Sequence, residues 1–482
     1  MKQLIYKSIA TGLLPLVSIT GMAAEKAQKI KSPNVIFILV DDMGFGDLSV
    51  CGQKKFTTPN IDRMAQEGMF FNNMYCGSTV SAPSRASLMT GRNTGHCSVR
   101  GNAPDQIVGD DELTLAKIFK DAGYKTGAVG KWGLGTIMPV DDPKRKGFDY
   151  FYGYINMWHA HNLYPEFLYE NATKIKLNNR NKLVNGVDPW LNPLMEGMGV
   201  AEIKNEYAPF LFDKKAASFI EKNKDDQFFL YLAYNTPHAN NEGKNDGMEV
   251  PDYYEFANTD WPQQEKAFAA MMKNLDNSVG MILQQLKKLN IDENTIVMFC
   301  SDNGPHQEGG HKTDFFDSNG IYKGKKRDLY EGGIRTAFIA WWPGKIKANT
   351  RADQNFAFWD MLPTFADLTK TKSKFTTDGI SILPTLTGKK QKAKHEYLYW
   401  EFYEGKGKQA IIKDNWKAIK LNISEPTVET IFELYDLKND VEETNNVAKA
   451  NPEVVKQFEE LFKKARANFE IAPLFKEDII KK

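Results

Sequence analysis

Residues 34–40 (NVIFILV) form a continuous apolar run that stops abruptly on two adjacent acids, Asp41 and Asp42. A run of that length with no polar alternation is buried on both faces, as in a central strand of a parallel sheet covered by helices. The pattern recurs along the chain. Residues 126–130 form a short strand ending at Lys131, and 228–234 (FFLYLAY) lead into Asn-Thr-Pro-His with His238. Residues 295–300 lead into Ser301, Asp302, Asn303 and Gly304, and 336–342 read as a further strand. Helical patterns lie between them, at 115–122 and where Phe268, Met271, Met272, Leu275, Val279, Ile282, Leu283 and Leu286 share one face. This alternation predicts an α/β fold whose large, mainly parallel mixed sheet is sandwiched by helices.

The character changes after residue 390. Short alternating runs at 396–403, 410–413, 416–421 and 431–435 suit an antiparallel sheet, and 451–469 carries one helix on Val454, Val455, Phe458, Leu461, Phe462 and Ala465. A main α/β domain over 25–390 and a smaller C-terminal α+β subdomain over 391–482 are therefore expected. Residues 1–24 read as a secretory signal peptide. Lys2 and Lys7 precede a short apolar stretch, and the small residues Gly21, Ala23 and Ala24 follow it. The stretch is too short for a membrane-spanning helix of about 20 residues, so an exported, soluble, periplasmic protein is expected.

The 62 basic and 61 acidic residues leave a net charge of +1, which argues against a nucleic-acid or membrane-surface partner. The four cysteines (Cys51, Cys76, Cys97, Cys300) have no zinc spacing. Cys300 reads as a core residue, and pairing among the other three stays open.

In open α/β sheets ligands bind beyond the carboxyl ends of the strands, so the polar residues that end these runs should converge. Asp41 with Asp42, and Asp302 with Asn303, are hard oxygen ligands that favour Ca2+, ahead of Mg2+. Either pair alone serves equally well as a turn or helix cap. Two such pairs, each after a buried strand, point to a metal. Lys131 and His238, each an ordinary surface or core group on its own, would clamp an anion beside that metal. The segment from Ser81 to Arg85 starts a short helix, where free N–H groups and the dipole suit a nucleophile attacking an anionic ester. An ordinary helix cap has the same pattern.

Ser81-x-Pro83-Ser84-Arg85 with Thr90-Gly91-Arg92 closely resembles the signature of formylglycine-dependent (type I) sulfatases, of alkaline-phosphatase-like fold. The resemblance spans nearly the whole mature chain. It takes in Pro33 to Gly44, Thr58 to Asp62, Gly130-Lys131-Trp132, Thr236-Pro237-His238, Asp302-Asn303-Gly304, Lys326, Tyr330 to Arg335, and Leu434 to Leu437. It implies that Asp41, Asp42, Asp302 and Asn303 hold one Ca2+ and that a maturase oxidises Ser81 to formylglycine. The hydrated aldehyde would attack sulfur with one hydroxyl and expel sulfate with the other, a route closed to plain serine. Arg85 would stabilise the diol, Lys131 and Lys326 would neutralise sulfate oxygens, and His238 would protonate the leaving oxygen. Cys76 lacks the proline that the motif needs two places on.

One position departs from the family. Many relatives carry histidine where this chain has Gly133, between Trp132 and Leu134. One of His159, His161, His306 or His311 is expected to fill that space. The resemblance to bacterial carbohydrate sulfatases also makes His159, His161, Asn162, His306, Glu308, His311 and Glu401 candidate contacts to a sulfated saccharide. Galactose or N-acetylgalactosamine is expected, sulfated at O6 ahead of O4. The alternatives are a phosphoester or phosphonate hydrolase of the same superfold and a non-catalytic binder of sulfated glycans.

Overall fold

The computed structural model describes Met1 and residues 32–103, 107–468 and 474–475; the expected signal peptide, apart from Met1, lies outside the described residues. The apolar run at 34–40 is strand β1 (Asn34–Asp41), with every residue buried. The absence of polar alternation has a direct cause. Val35, Phe37 and Leu39 pack on one face with Leu115, Phe119 and Phe365, whereas Ile36, Ile38 and Val40 pack on the other with Phe268, Leu275 and Phe212. Each such side chain contributes about 1.5–3 kcal/mol by leaving water.

The other strands of the main sheet and its margins follow in chain order. They are β2 (Met69–Tyr75), β3 (Lys125–Lys131), β4 (Tyr150–Tyr154), β5 (Phe167–Glu170) and β6 (Thr173–Lys176). After the small ribbon β7 (Arg180–Asn181) and β8 (Ala201–Ile203) come β9 (Phe228–Pro237), β10 (Thr295–Ser301), β11 (Arg335–Trp341), β12 (Thr350–Ala352) and β13 (Phe356–Ala357). The sheet order is β12-β2-β11-β10-β1-β9-β3-β4-β5-β6, with β13 also on β2. The centre, from β10 through β1, β9 and β3 to β4, is parallel. β11 and β5 run against their neighbours at the margins, as a mixed sheet requires. Helices α1 (Pro59–Glu67), α2 (Ser81–Thr90), α3 (Leu115–Asp121), α4 (Ala208–Asn223) and α5 (Gln263–Lys288) supply cover for both faces.

The C-terminal pattern folds as expected into an antiparallel sheet of β14 (Leu398–Phe402), β15 (Lys408–Lys413), β16 (Trp416–Leu421) and β17 (Ile431–Asp436). One face packs Phe458 and Phe462 of the helix Pro452–Lys464, and the other packs Trp400, Ile412 and Ile419 against Tyr75, Val80 and Trp359. That second contact braces the segment just before α2. All four cysteines are free, and Cys300 is wholly buried in the core. Among the described residues no helix is long and apolar enough to cross a membrane.

Candidate active site

Strand register explains why distant residues meet. β1 and β10 are parallel with Val40 opposite Ser301, so Asp41 and Asp302 leave the sheet side by side. β9 places Pro237 opposite Asp41, which brings His238 next to the same point, and β3 delivers Lys131 from one strand further out. Asp42 adopts a φ of 65°, a left-handed conformation that aspartate tolerates better than most residues, and its N–H donates to Asp302 Oδ1 at 3.2 Å. Helix α2 starts at Ser81 with Pro83 in the first turn, where its missing N–H has no intrahelical partner to lose, and Gly91 ends it at a φ of 68°.

Ser81 Oγ donates to Asp41 Oδ1 at 2.7 Å and lies 3.2 Å from Lys131 Nζ, which itself pairs with Asp41 Oδ2 at 2.7 Å. Arg85, one helical turn after Ser81 and wholly buried, pairs with Asp302 at 2.8 Å and Asp41 at 3.3 Å and donates to the Lys131 carbonyl. On the other side Lys326 Nζ meets Asp42 Oδ2 at 2.8 Å, Glu308 Oε2 at 2.9 Å and His238 Nε2 at 3.1 Å. Every catalytic and metal-ligating residue named from the sequence therefore belongs to one buried cluster.

Electrostatics strain this cluster. Burial would raise Asp41, but Lys131 and Arg85 hold it well below the usual carboxylate range. Burial and the neighbouring Asp41 charge push Asp302 up to about 7. Oxygens of Asp41, Asp42 and Asp302 lie within 4.8 Å of one another. Asn303 donates its Nδ2 to Asp42 at 2.6 Å, which leaves its buried Oδ1 without a partner among the described residues. Three crowded carboxylates and an orphaned amide oxygen fit a hard cation, whose charge relieves their repulsion. A second group, the carboxylates of Asp42 and Glu308 with the His238 ring, already encloses the Lys326 ammonium.

The candidate saccharide contacts divide. His161 stacks on His238 with ring centroids 4.9 Å apart and is oriented by Glu242 at 3.2 Å. His306 also stacks with His238, at 5.7 Å, but both its ring nitrogens are engaged, with the Pro237 carbonyl and the Glu308 N–H. Glu308 joins Lys326 to Arg327, and His311 hydrogen-bonds Glu265 at 2.6 Å. His159, Asn162 and Glu401 are instead committed to the interior. His159 bonds the Phe167 carbonyl, Asn162 bonds Asn181 and the Tyr164 N–H, and Glu401 is held by Arg100, Arg466 and Tyr399. Their polar atoms order loops and tie the C-terminal sheet to its neighbours.

The expected substitute for the histidine absent at Gly133 is not found in contact with the nucleophile. Among the described residues the side-chain partners of Ser81 Oγ are Asp41 and Lys131. A Cβ at Gly133 would first meet Lys131 at 3.5 Å and Arg85 at 3.6 Å, and its φ of 69° suits glycine. Glu242 and Arg327 were not anticipated, although each lies within a few residues of a motif. Nor was Asn102, whose Oδ1 accepts the Ala82 N–H beside Ser81.

Comparison with known proteins matches two family descriptions, Sulfatase over residues 33–371 and N-sulphoglucosamine sulphohydrolase, C-terminal, over 319–468. An N-acetylgalactosamine-6-O-sulfatase of Bacteroides thetaiotaomicron is 31% identical, with 94% of this chain and 98% of the relative aligned. The N-acetylgalactosamine-6-sulfatase of Homo sapiens is 33% identical over 76% of this chain and 67% of its own. Among solved structures, Ps i-CgsB in complex with k-i-k-neocarrahexaose superposes with a TM-score of 0.74 at 27% identity, covering 90% of this chain and 92% of the other. A protein from work on the metabolism of multiple glycosaminoglycans by Bacteroides thetaiotaomicron gives 0.72 at 28% identity, covering 90% and 99%.

Proposed function

Because the chain belongs to the sulfatase family, as a type I sulfatase of the alkaline phosphatase superfamily and hence a sulfuric ester hydrolase, we propose that it is an exported carbohydrate sulfatase removing a sulfate from O6 of N-acetylgalactosamine or galactose, ahead of O4. The observation that carries this reading is the contact of Ser81 with Asp41 and Lys131 inside a cluster of carboxylates and fixed cations. The sugar assignment draws on the N-acetylgalactosamine-6-sulfatases among the relatives. Export rests on the leader-like pattern of residues 1–24. Residues 25–390 would form the catalytic domain and 391–482 its brace.

Ser81 is the residue that a maturase would oxidise to formylglycine, whose hydrated aldehyde would supply the nucleophile. Asp41, Asp42, Asp302 and Asn303 would hold Ca2+, which would supply Lewis-acid chemistry toward the sulfate. The chain's own groups do the rest. Arg85 is held by two carboxylates and a carbonyl, so it stays aligned with the position one turn before it. Lys131 and Lys326 lie on opposite sides of the aspartate cluster and balance charge as it builds on the sulfate.

His238 Nδ1 donates to the Ala239 carbonyl at 2.6 Å, so Nε2 is the nitrogen that faces Lys326. Burial, reinforced by Lys326, lowers His238 to about 3, so its ring is neutral at pH 7. Held by Asp42 and Glu308, the Lys326 ammonium keeps its proton, and His238, whose ring takes a proton from solvent as the anionic ester binds, is the acid for the leaving oxygen. His161 and Glu308, beside His238 and Lys326, orient the sugar.

The test is sulfate release from defined saccharides sulfated at O6 or O4, using protein matured in its native host. Release from the O6 esters ahead of the O4 esters is the expected result; release from neither contradicts the reading. His238→Ala should lower kcat on the glycan by about 10²–10⁴. It should cost far less on an aryl sulfate whose leaving group needs no proton. Equal losses on both substrates would remove His238 from the acid role.

A further inference from the structure

Helix α2 carries the candidate nucleophile at its first residue, yet no side chain of its own caps that end. Val80, the residue before it, has no acceptor to offer, and Pro83 brings no N–H. Among the described residues one side-chain oxygen meets the N–H groups of residues 81–84, and it comes from outside the helix. Asn102 Oδ1 accepts from the Ala82 N–H at 3.1 Å. Ala82 is 1% exposed, so water is no ready substitute for that acceptor.

Asn102 is in turn held by the C-terminal subdomain. Its N–H donates to Glu404 Oε1 at 2.9 Å, in the turn between β14 and β15. The loop that delivers Asn102 runs from the end of α2 back to its first turn, and the subdomain grips it along the way. The Glu401 N–H donates to Thr94 Oγ1 at 2.8 Å, Arg100 pairs with Glu401 at 2.9 Å, and the Ala467 N–H donates to the Gly95 carbonyl at 2.9 Å. A Cβ on Gly101 would lie 2.4 Å from the Tyr403 ring, an approach that only glycine allows. From the next strand Lys408 Nζ donates to the Arg327 carbonyl at 2.7 Å, beside Lys326. One hairpin of the subdomain therefore reaches the neighbours of both Ser81 and Lys326.

Resting on the sulfatase reading, we propose that Glu404 and Asn102 are positioning residues that act in series. Through them the C-terminal subdomain fixes the first turn of α2, and with it the direction of the residue-81 side chain towards Asp41 and Lys131. Neither residue touches the reacting atoms. Without the Asn102 oxygen the Ala82 N–H must find another acceptor, and a turn displaced by about 1 Å costs about a hundredfold in rate.

Asn102→Ala, Glu404→Ala, Glu404→Gln and the double variant Asn102→Ala/Glu404→Ala test this, with turnover normalised to the formylglycine content of each preparation. Asn102→Ala should lower kcat by about 10–100-fold on an O6-sulfated saccharide and equally on an aryl sulfate, with KM within about twofold. Glu404→Ala should give a smaller loss of the same kind, and Glu404→Gln, which keeps the oxygen, should restore most of it. The double variant should match Asn102→Ala to within about twofold, because the two residues act on one contact. A second readout needs no turnover. Amide hydrogen exchange at the start of α2 should quicken about tenfold in Asn102→Ala and in Glu404→Ala, with serine or formylglycine at position 81, while β16 exchanges as in the parent. Additive losses, a KM rise confined to the saccharide, or parental kcat and exchange in Asn102→Ala overturn the positioning role and leave the sulfatase reading standing. Absence of sulfate release from the wild type on both substrates overturns that reading and the positioning role with it.

Discussion

Where the C-terminal sheet meets the main sheet, Lys417 pairs with Glu331 and Glu443 at 2.9 Å each, and Arg335 pairs with Glu331 at 2.7 Å. At the strand ends, Asp41, Asp42 and Asp302 meet Arg85, Lys131 and Lys326. Both clusters are buried, both balance acids against bases, and in each burial beside a like charge pushes one acid up to about 7, Glu443 at the interface and Asp302 at the strand ends. The interface cluster links β11, β16 and the turn at 331–334 through pairs that end on one another. The strand-end cluster crowds three carboxylates, drives Asp302 up to about 7, and adds a hydroxyl and an orphaned amide oxygen. Buried charge alone is therefore no mark of function. Neither is a raised acid; a hydroxyl set among three crowded carboxylates and fixed cations is.

The contrast breaks most sharply at Ser81. Ser81→Ala should lower sulfate release by about 10⁴-fold or more, while unfolding free energy stays within about 1 kcal/mol of the parent. Comparable activity in that variant, measured as released sulfate, would put the chemistry elsewhere. Lys417→Met should do the reverse. It strands two buried carboxylates and should cost about 3–5 kcal/mol in denaturant unfolding, with kcat of the folded protein unchanged. A fall in kcat at full stability would erase the distinction between the clusters.

Removing divalent cations should affect the strand ends alone. Stability should return with Ca2+, by about 2.7 kcal/mol when the ion is at a hundred times its Kd. Asp302→Asn should abolish that response in calorimetry, and its survival would put the ion elsewhere. The smallest effect sharpens the account at Gly133. Gly133→Ala should cost about 1 kcal/mol, from the left-handed backbone rather than from crowding.

Much of this was legible in the chain. β1, β9 and β10 announce themselves because both faces are covered, and the acids and His238 that end them are positioned by sheet register. The edges were harder to read. β2 is interrupted by the polar Asn72 and Asn73, whose side chains reach Asp353, and β5 to β8 are too short to show a period. Side-chain direction was least legible of all. Trp400-Glu401 reads the same whether its carboxylate meets a sugar or, as here, two arginines and a tyrosine. Glu242 was within reach of sequence reasoning, since it follows His238 in the same loop and orients the ring stacked on it.

The most direct test of the central claim is the mass of the peptide containing Ser81, from protein made in its native host and shown to release sulfate. A residue two hydrogens lighter than serine at position 81, present in proportion to activity, is expected. Full sulfatase activity with serine unmodified at that position would contradict it.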